Sequence, residues 1–514
     1  MWNSKYREEL QRRRERAQLG GGEKRLEKQH EKGKLSARER MDILFDEGSF
    51  VEVDSFIESR INEFGMDQKR VPGDGVVTGY GKINGKLVFA YSEDFTVIGG
   101  TLGEYHSLKI CRIMDRAIEM RAPLIAINDS GGARIEEGVC SLSGYSGMFL
   151  RNTKASGIIP QIAVIMGPCA GGACYSPAIC DFIFMTENTS RMFITGPGVV
   201  KEVIGEIVSA FELGSAKTHM EKSGVAHFSY QNDEECLMAV RNLLSYLPSN
   251  NAELADVKKC KTEDSSDKLQ EIVPDEQRKV YDVHEVIKAI LDTGSFLEVQ
   301  PKYAQNIVIG FGRLDGQTVG IVANQALILG GSLDGSASEK AARFIRFCDA
   351  FNIPLLTLVD VPGFFPGSKQ EHNGIIRKGA KLLYAFSEAT VPKITVILRK
   401  AYGGAYIAMN SKNMGADMVY AWPIAQIAVM GAEGAADIIY KQEIEKAEDH
   451  DAAKMQFAKK YEETFMNPYM AAKYGYIDEV ILPEETRERL IGAFEMCRTK
   501  SRDTLAKRHG NIPL

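Results

Sequence analysis

The feature that most constrains this chain is that much of it is written twice. GSFVEV (residues 48–53) returns as GSFLEV (294–299), and VVTGYGKINGK (76–86) returns as IVIGFGRLDGQ (307–317). Gly79, Gly81 and Gly85 then face Gly310, Gly312 and Gly316, an offset of 231 residues. At that offset IGGTL (98–102) meets LGGSL (329–333), and PLIAINDSGG (123–132) meets PLLTLVDVPG (354–363). With one residue inserted, PQIAVIMGPCAGGACY (160–175) meets PKITVILRKAYGGAY (392–406). Agreement at a nearly constant spacing predicts two related domains in tandem, and 514 residues are ample for two large cores.

Within each copy, short Val- and Ile-rich runs such as LVFAY, LIAIND and IAVIMG alternate with amphipathic stretches. In EYHSLKICRIMDRAIEM, Leu108, Cys111, Ile113 (or Met114) and Ile118 recur near helical spacing. The alternation predicts an α/β fold. The expected layout is an N-terminal domain over residues 1–250, a charged linker over 251–282 and a C-terminal domain over 283–514. Residues 1–45 alternate in sign and read as solvated helices, with Ser36 capping ARERMDILF. The charged insert EIEKAEDHDAAKMQFAKKYEE reads as an exposed helical hairpin.

Composition removes several classes. A hydrophobic fraction of 44% and a charged fraction of 26% describe a folded globular chain. A net charge of -6 gives no global basic field for nucleic acid. The nine cysteines form no C-x-x-C pair and the eight histidines no metal-ligand spacing, so the cysteines are expected to be reduced and no metal site is expected. With no apolar leader and no stretch of about 18 apolar residues, the expected location is cytoplasmic.

Chemistry is sought where the copies agree. Each has a small-residue cluster at the end of a predicted buried strand: Gly171, Gly172 and Ala173, then Gly403, Gly404 and Ala405. Such a turn can aim backbone N–H groups at a developing oxyanion, a stabilisation of about 3 to 4 kcal/mol, or it can merely let a helix pack close to its strand. An earlier loop in each copy follows Asp129 or Asp360. The first offers Gly131, Gly132 and Arg134 to an anionic or polar partner; the second offers Phe364, Phe365 and Pro366 to a flat apolar ring, although the aspartates can equally cap turns and the phenylalanines can equally be core. No phosphate loop, dinucleotide fingerprint or G-x-S-x-G elbow occurs. A site built from backbone donors suits enolate chemistry of a thioester.

GPCAGGACYSPAICDF (167–182), RKAYGGAYIAMNSK (399–412), DVPGFFPG (360–367), INDSGGARIEEG (127–138) and WPIAQIAVMGAEGA (422–435) closely resemble the carboxyltransferase subunits of biotin-dependent acyl-CoA carboxylases. The likeness runs from KLSARERMDILFDEGSF to IDEVILP and is strongest to the propionyl-CoA carboxylase beta, methylmalonyl-CoA carboxyltransferase and methylmalonyl-CoA decarboxylase alpha branch. It implies two crotonase-like domains of the ClpP/crotonase superfamily in a homohexamer of two stacked trimers. The N-domain of one chain would hold acyl-CoA and the C-domain of another would bring carboxybiotin. By the same resemblance Gly171 and Gly172 hold the thioester oxygen, and Gly404 and Ala405 the biotin ureido oxygen. Gly131, Gly132, Ala133, Arg134, Ala173, Tyr175 and Ile407 would line the acyl-CoA side. Val361, Gly363, Phe364, Phe365, Gly403 and Tyr406 would line the biotin side.

The implied reaction moves a carboxyl group between carboxybiotin and the α-carbon of propionyl-CoA, biotin supplying both carboxyl group and base. Ile407 stands where many propionyl-CoA carboxylases carry Asp, and Ile suits the decarboxylase-like branch. A chain without a Met-Lys-Met biotin-attachment signature or an ATP-grasp-like region needs a biotin carboxyl carrier protein and a biotin carboxylase as partners. A membrane decarboxylase subunit would take the latter's place in the alternative reading, a sodium-pumping decarboxylase. More distant alternatives are a crotonase-type hydratase or isomerase using Glu136 or Glu137, and a non-catalytic scaffold for CoA thioesters.

Overall fold

The computed structural model describes residues 4–259, 266–501 and 507–511. Cys260 and residues 260–265 of the expected linker lie outside the described residues. The chain forms two compact units, Met1–Leu254 and Ala255–Leu514. The first contains β1 (Val51–Val53), β2 (Val76–Ile83), β3 (Lys86–Glu93), β4 (Leu124–Ser130), β5 (Gln161–Ala170), β6 (Phe182–Thr186), β7 (Arg191–Phe193) and β8 (Phe228–Tyr230). The second contains β9 (Leu297–Val299), β10 (Ile307–Leu314), β11 (Gln317–Asn324), β12 (Leu355–Val361), β13 (Lys393–Tyr402), β14 (Met418–Ala421), β15 (Gln426–Ala428) and β16 (Glu479–Val480).

The two sheets are wired alike, in the orders β1-β2-β3-β4-β5-β6-β8 and β9-β10-β11-β12-β13-β14-β16. A short extra strand pairs with the far end of the long one, β7 with β5 and β15 with β13. Each sheet begins with an antiparallel hairpin and continues parallel. The hairpins turn on Asn84-Gly85 and Asp315-Gly316, all four with positive φ, which matches the right-handed twist of the flanking strands. The repeated glycines are explained by crowding: a Cβ on Gly79 would strike the Val51 carbonyl, and one on Gly310 the Leu297 carbonyl.

Helices Glu104–Glu119 and Gly335–Ala350 occupy corresponding places after the hairpins. The first buries Ile110, Ile113, Met114 and Ala117, an i, i+3, i+4, i+7 stripe. Each of the buried Ile and Met side chains contributes about 1.5–3 kcal/mol. Leu108, expected on this face, is 37% exposed because it lies two residues, roughly 200°, away from Ile110. Ser36 caps Ala37–Leu44 through a capping box with Glu39. That helix is not a solvated one, since it buries Arg40, Met41 and Leu44. Ser4–Gln18 buries only Ala17. Residues 266–282 belong to the second unit, with Leu269, Val273 and Tyr281 in its core. Helices Lys441–Lys446 and His450–Phe465 in the charged insert are largely exposed, with Ala458 the buried residue. Among the described residues no helix is long and apolar enough to cross a membrane. The eight described cysteines are free thiols.

Candidate active site

Both units build the same turn at the end of their longest strand. β5 ends at Ala170, Gly171 takes φ 64°, and the chain coils through Gly171–Cys174 into the helix Tyr175–Ile179. β13 ends at Tyr402, Gly403 takes φ 58°, and the helix Gly403–Ala408 follows. Left-handed backbone is strained for any side chain, which is why glycine stands at both places. The first amides of each coil have no partner within it and carry partial positive charge. Gly172 lies against Tyr145, whose ring would be 3.2 Å from a Cβ there. Gly404 is exposed, and Phe364 is the neighbour such a Cβ would meet, at 3.9 Å.

The earlier loop lies beside the turn in each unit. Ser130 pairs with Cys169, and Val361 with Ala401, each after the same shift of register. The loops are pinned by matching bridges, Leu102 to Ala133 and Leu333 to Phe364. A Cβ on Gly132 would lie 3.0 Å from the Ala170 carbonyl oxygen, so this loop and the glycine turn are in van der Waals reach. The amides of Gly131 and Gly132 donate to the Gly99 carbonyl and Ser130 Oγ, leaving the amides at Gly171 and Gly172 as the better candidates for an external oxygen. Two residues without the excuse of being glycine, Ile98 and Leu329, hold positive φ (50° and 52°) at the foot of these loops. A β-branched residue in that region is an outlier, a form of strain that concentrates at functional sites.

The remaining expected residues divide by exposure. Tyr175 (47%) and Ile407 (46%) are open, Ala133, Gly363, Phe364, Phe365 and Tyr406 are partly buried, and Ala173, Ala405 and Val361 pack their side chains inside. Burial raises the Tyr406 hydroxyl above its ordinary pKa. Arg134 needs correction as an anion contact: its guanidinium is 0% exposed, held at 2.8 Å by both Asp74 and Glu137. Only its main chain is left to face a ligand. The strand-end aspartates also point inward. Asp129 pairs with Lys34 at 2.6 Å and Arg40 at 3.0 Å, and Arg40 reaches Asp233 at 2.8 Å. Asp360 pairs with Arg399 at 3.0 Å, and Arg399 also donates to the carbonyls of Pro274, Glu276 and Lys279. These ion pairs hold the loops in place.

Residue-by-residue reading of the sequence missed the groups behind the loops. The Asp129 amide donates to Glu93 at 3.0 Å, and the Asp360 amide to Asn324 at 3.3 Å, the same position of the repeat. Burial pushes the Glu93 carboxyl up to about 8 and the neighbouring His106, 3.6 Å away, well below its usual value. Lys109 and Lys340 are likewise equivalent, each buried with Nζ donating to main-chain carbonyls. Desolvation lowers them to about 8 and about 7. The 231-residue offset, applied to charged residues as well as glycines, is the signal that finds both pairs.

Two strand-end glycine turns, each beside a pinned loop in a duplicated parallel-sheet unit, can present backbone amides to a developing negative charge. The model of the carboxyl transferase domain matches residues 28–512, and the chain belongs to that family: it is a carboxyltransferase with the duplicated crotonase-like fold. It is 57% identical over 511 residues to the carboxyltransferase subunit of propionyl-CoA carboxylase from Haloferax mediterranei, covering 99% of each chain. It is 56% identical over 503 residues to methylmalonyl-CoA decarboxylase subunit alpha from Veillonella parvula, covering 97% of each. The transcarboxylase 12S hexamer, solved with methylmalonyl-coenzyme A and methylmalonic acid bound, superposes with a TM-score of 0.96 at 53% identity, over 99% of this chain and 98% of that one.

Proposed function

We propose that the chain is the carboxyltransferase subunit of a propionyl-CoA carboxylase or transcarboxylase, acting between biotin on a separate carrier protein and a short-chain acyl-CoA within a homohexamer. The observation that carries this reading is the repetition of one glycine turn in two differently furnished units. In the first, the amides at Gly171 and Gly172 would take the thioester oxygen as it becomes an enolate, with Gly131, Gly132, Ala133 and the Arg134 main chain walling the thioester. In the second, the amides at Gly404 and Ala405 would take a carbonyl oxygen on a flat ring. The partly exposed Phe364 and Phe365 fit the apolar body of biotin there. Biotin, when bound, supplies the carboxyl group and the base. The protein's share is orientation and charge stabilisation, and one lost oxyanion donor costs about 10²–10³ in rate.

The open position of Ile407 supports a second reading, the corresponding subunit of a biotin-dependent methylmalonyl-CoA decarboxylase with a membrane subunit as partner. Purified protein incubated with methylmalonyl-CoA and free biotin is expected to form propionyl-CoA only when biotin is present. Biotin-independent turnover would refute both readings. Carrier-linked assays with a biotin carboxylase or a membrane decarboxylase subunit separate the two.

A further inference from the structure

The glycine turn of the first unit is spanned by two thiols that the carboxyl-transfer reading leaves without a task. Cys169 stands on β5 two residues before Gly171, and Cys174 closes the coil Gly171–Cys174. Both side chains sink into the same hydrophobic cluster, 0% and 5% exposed. Cys174 Sγ donates to the Cys169 carbonyl at 2.9 Å and lies 3.2 Å from the Phe193 carbonyl. The two thiols are also in hydrogen-bond contact with each other. That contact, with burial, raises the Cys169 thiol well above its ordinary value, and the same contact lowers the Cys174 thiol. Cys174, the less buried of the two, is therefore the readier nucleophile.

The second unit shows that the turn does not need them. With Gly403 laid on Gly171, Ala401 takes the place of Cys169 and Tyr406 that of Cys174. Gly403 nevertheless adopts the same left-handed backbone, and Ala401 pairs with Val361 as Cys169 pairs with Ser130. A buried cysteine can serve simply as a small apolar side chain. Packing does not require two sulfurs in contact, nor that they bracket Gly171 and Gly172, whose amides are the candidate donors for the thioester oxygen.

We propose that Cys169 and Cys174 are a modification site for a hydroperoxide, closing into a disulfide that reversibly disables the first turn. The Cys174 thiolate attacks one peroxide oxygen; the O–O bond breaks, Cys174 becomes a sulfenic acid, and the displaced hydroxide takes up the proton that Cys174 released and leaves as water. Cys169 then attacks Cys174 Sγ; the S–O bond breaks, and the departing hydroxide takes the Cys169 proton to leave as a second water. Two thiols are oxidised to one disulfide and one peroxide is reduced to two waters. Peroxide is close to water in size, and Ala170, Gly171 and Gly172, between the two cysteines, are partly exposed. Bond formation draws the sulfurs from hydrogen-bond contact to about 2.05 Å, and Gly171 and Gly172 lie inside the loop so closed.

The test treats the full-length protein with hydrogen peroxide, alkylates free thiols in denaturant with iodoacetamide, and reads the tryptic peptide 155–191, which holds Cys169, Cys174 and Cys180, by mass spectrometry. The expected product carries a single alkyl group, on Cys180, and lacks the two thiol hydrogens of Cys169 and Cys174; dithiothreitol before alkylation restores all three labels. Biotin-dependent turnover of methylmalonyl-CoA is expected to fall about 10-fold or more as that product accumulates, and to return with dithiothreitol. Cys169→Ala, the residue the second unit carries there, and independently Cys174→Ala, are expected to resist peroxide. Three labelled cysteines after peroxide, or equal inactivation of both variants, overturns the proposal, and so does a disulfide that leaves turnover unchanged. The bond is read from mass alone, whereas its consequence rests on the acyl-CoA reading of the turn. A reversible disulfide in a protein without biotin-dependent turnover would uphold the site while rejecting that reading, so the two fail separately.

Discussion

The loop after β4 and the loop after β12 are pinned alike and furnished oppositely. Both are pinned by one parallel bridge, follow a buried aspartate and abut a glycine turn. The first then buries Arg134 between Asp74 and Glu137, whereas the second places Phe365 at the equivalent position and leaves it partly exposed. Behind the loops the same amide finds Glu93 in one unit and Asn324 in the other. Duplication has kept the bridge and the glycine turn and changed the side chains around them.

The largest expected effect tests whether the two turns do the same work. Gly171→Val and Gly403→Val each put a β-branched residue at a left-handed position and are expected to lower biotin-dependent turnover by about 10²–10³ with an unchanged elution volume on gel filtration. If one variant keeps full activity, the turns are not equivalent. Next come the ion pairs. Arg134→Met strands two buried carboxylates and Arg399→Met one, so urea melts should show losses of about 3–5 kcal/mol, larger for Arg134. The reverse order would mean that the carbonyl partners of Arg399 outweigh the second carboxylate.

A third comparison concerns pH. The folded Glu93 carboxyl is raised from 4.5 to about 8, so the native state holds a proton that the unfolded chain gives up. Its stabilisation is therefore complete below about 4.5 and is lost as pH rises from there through about 8. Glu93→Gln keeps an acceptor for the Asp129 amide without the titration, as Asn324 already does. Its denaturation midpoint should fall less than wild type's between pH 5 and pH 9; parallel curves would refute the assignment. The smallest effect on stability is at Ile407, half open to solvent, where Ile407→Asp should change stability by no more than about 0.5 kcal/mol. The relative KM values of propionyl-CoA and longer acyl-CoAs should nevertheless shift.

What was legible in the sequence was whatever the repeat wrote twice. The paired small-residue clusters foretold a tight turn at the end of each long strand, and Ser36 announced a helix start. The buried charges were not legible one at a time. Lys34, Arg40, Glu93, Asp129 and Asp233 come from four separate segments, and each alone resembles an ordinary surface residue. Arg134 misled for the same reason: an arginine in a glycine loop suggests a ligand, and its true partners, Asp74 and Glu137, carry no mark of their pairing. Leu108 misled because a stripe of apolar residues admits more than one phase until the sheet beneath it is known.

Each sheet is also drawn from one uninterrupted stretch of chain, the first complete by Tyr230 and the second opening only at Leu297. On the ribosome, at roughly 5–20 residues per second, the first half emerges many seconds before the second. It can close its own core in that interval, before a nearly identical set of strands exists to compete for its edges.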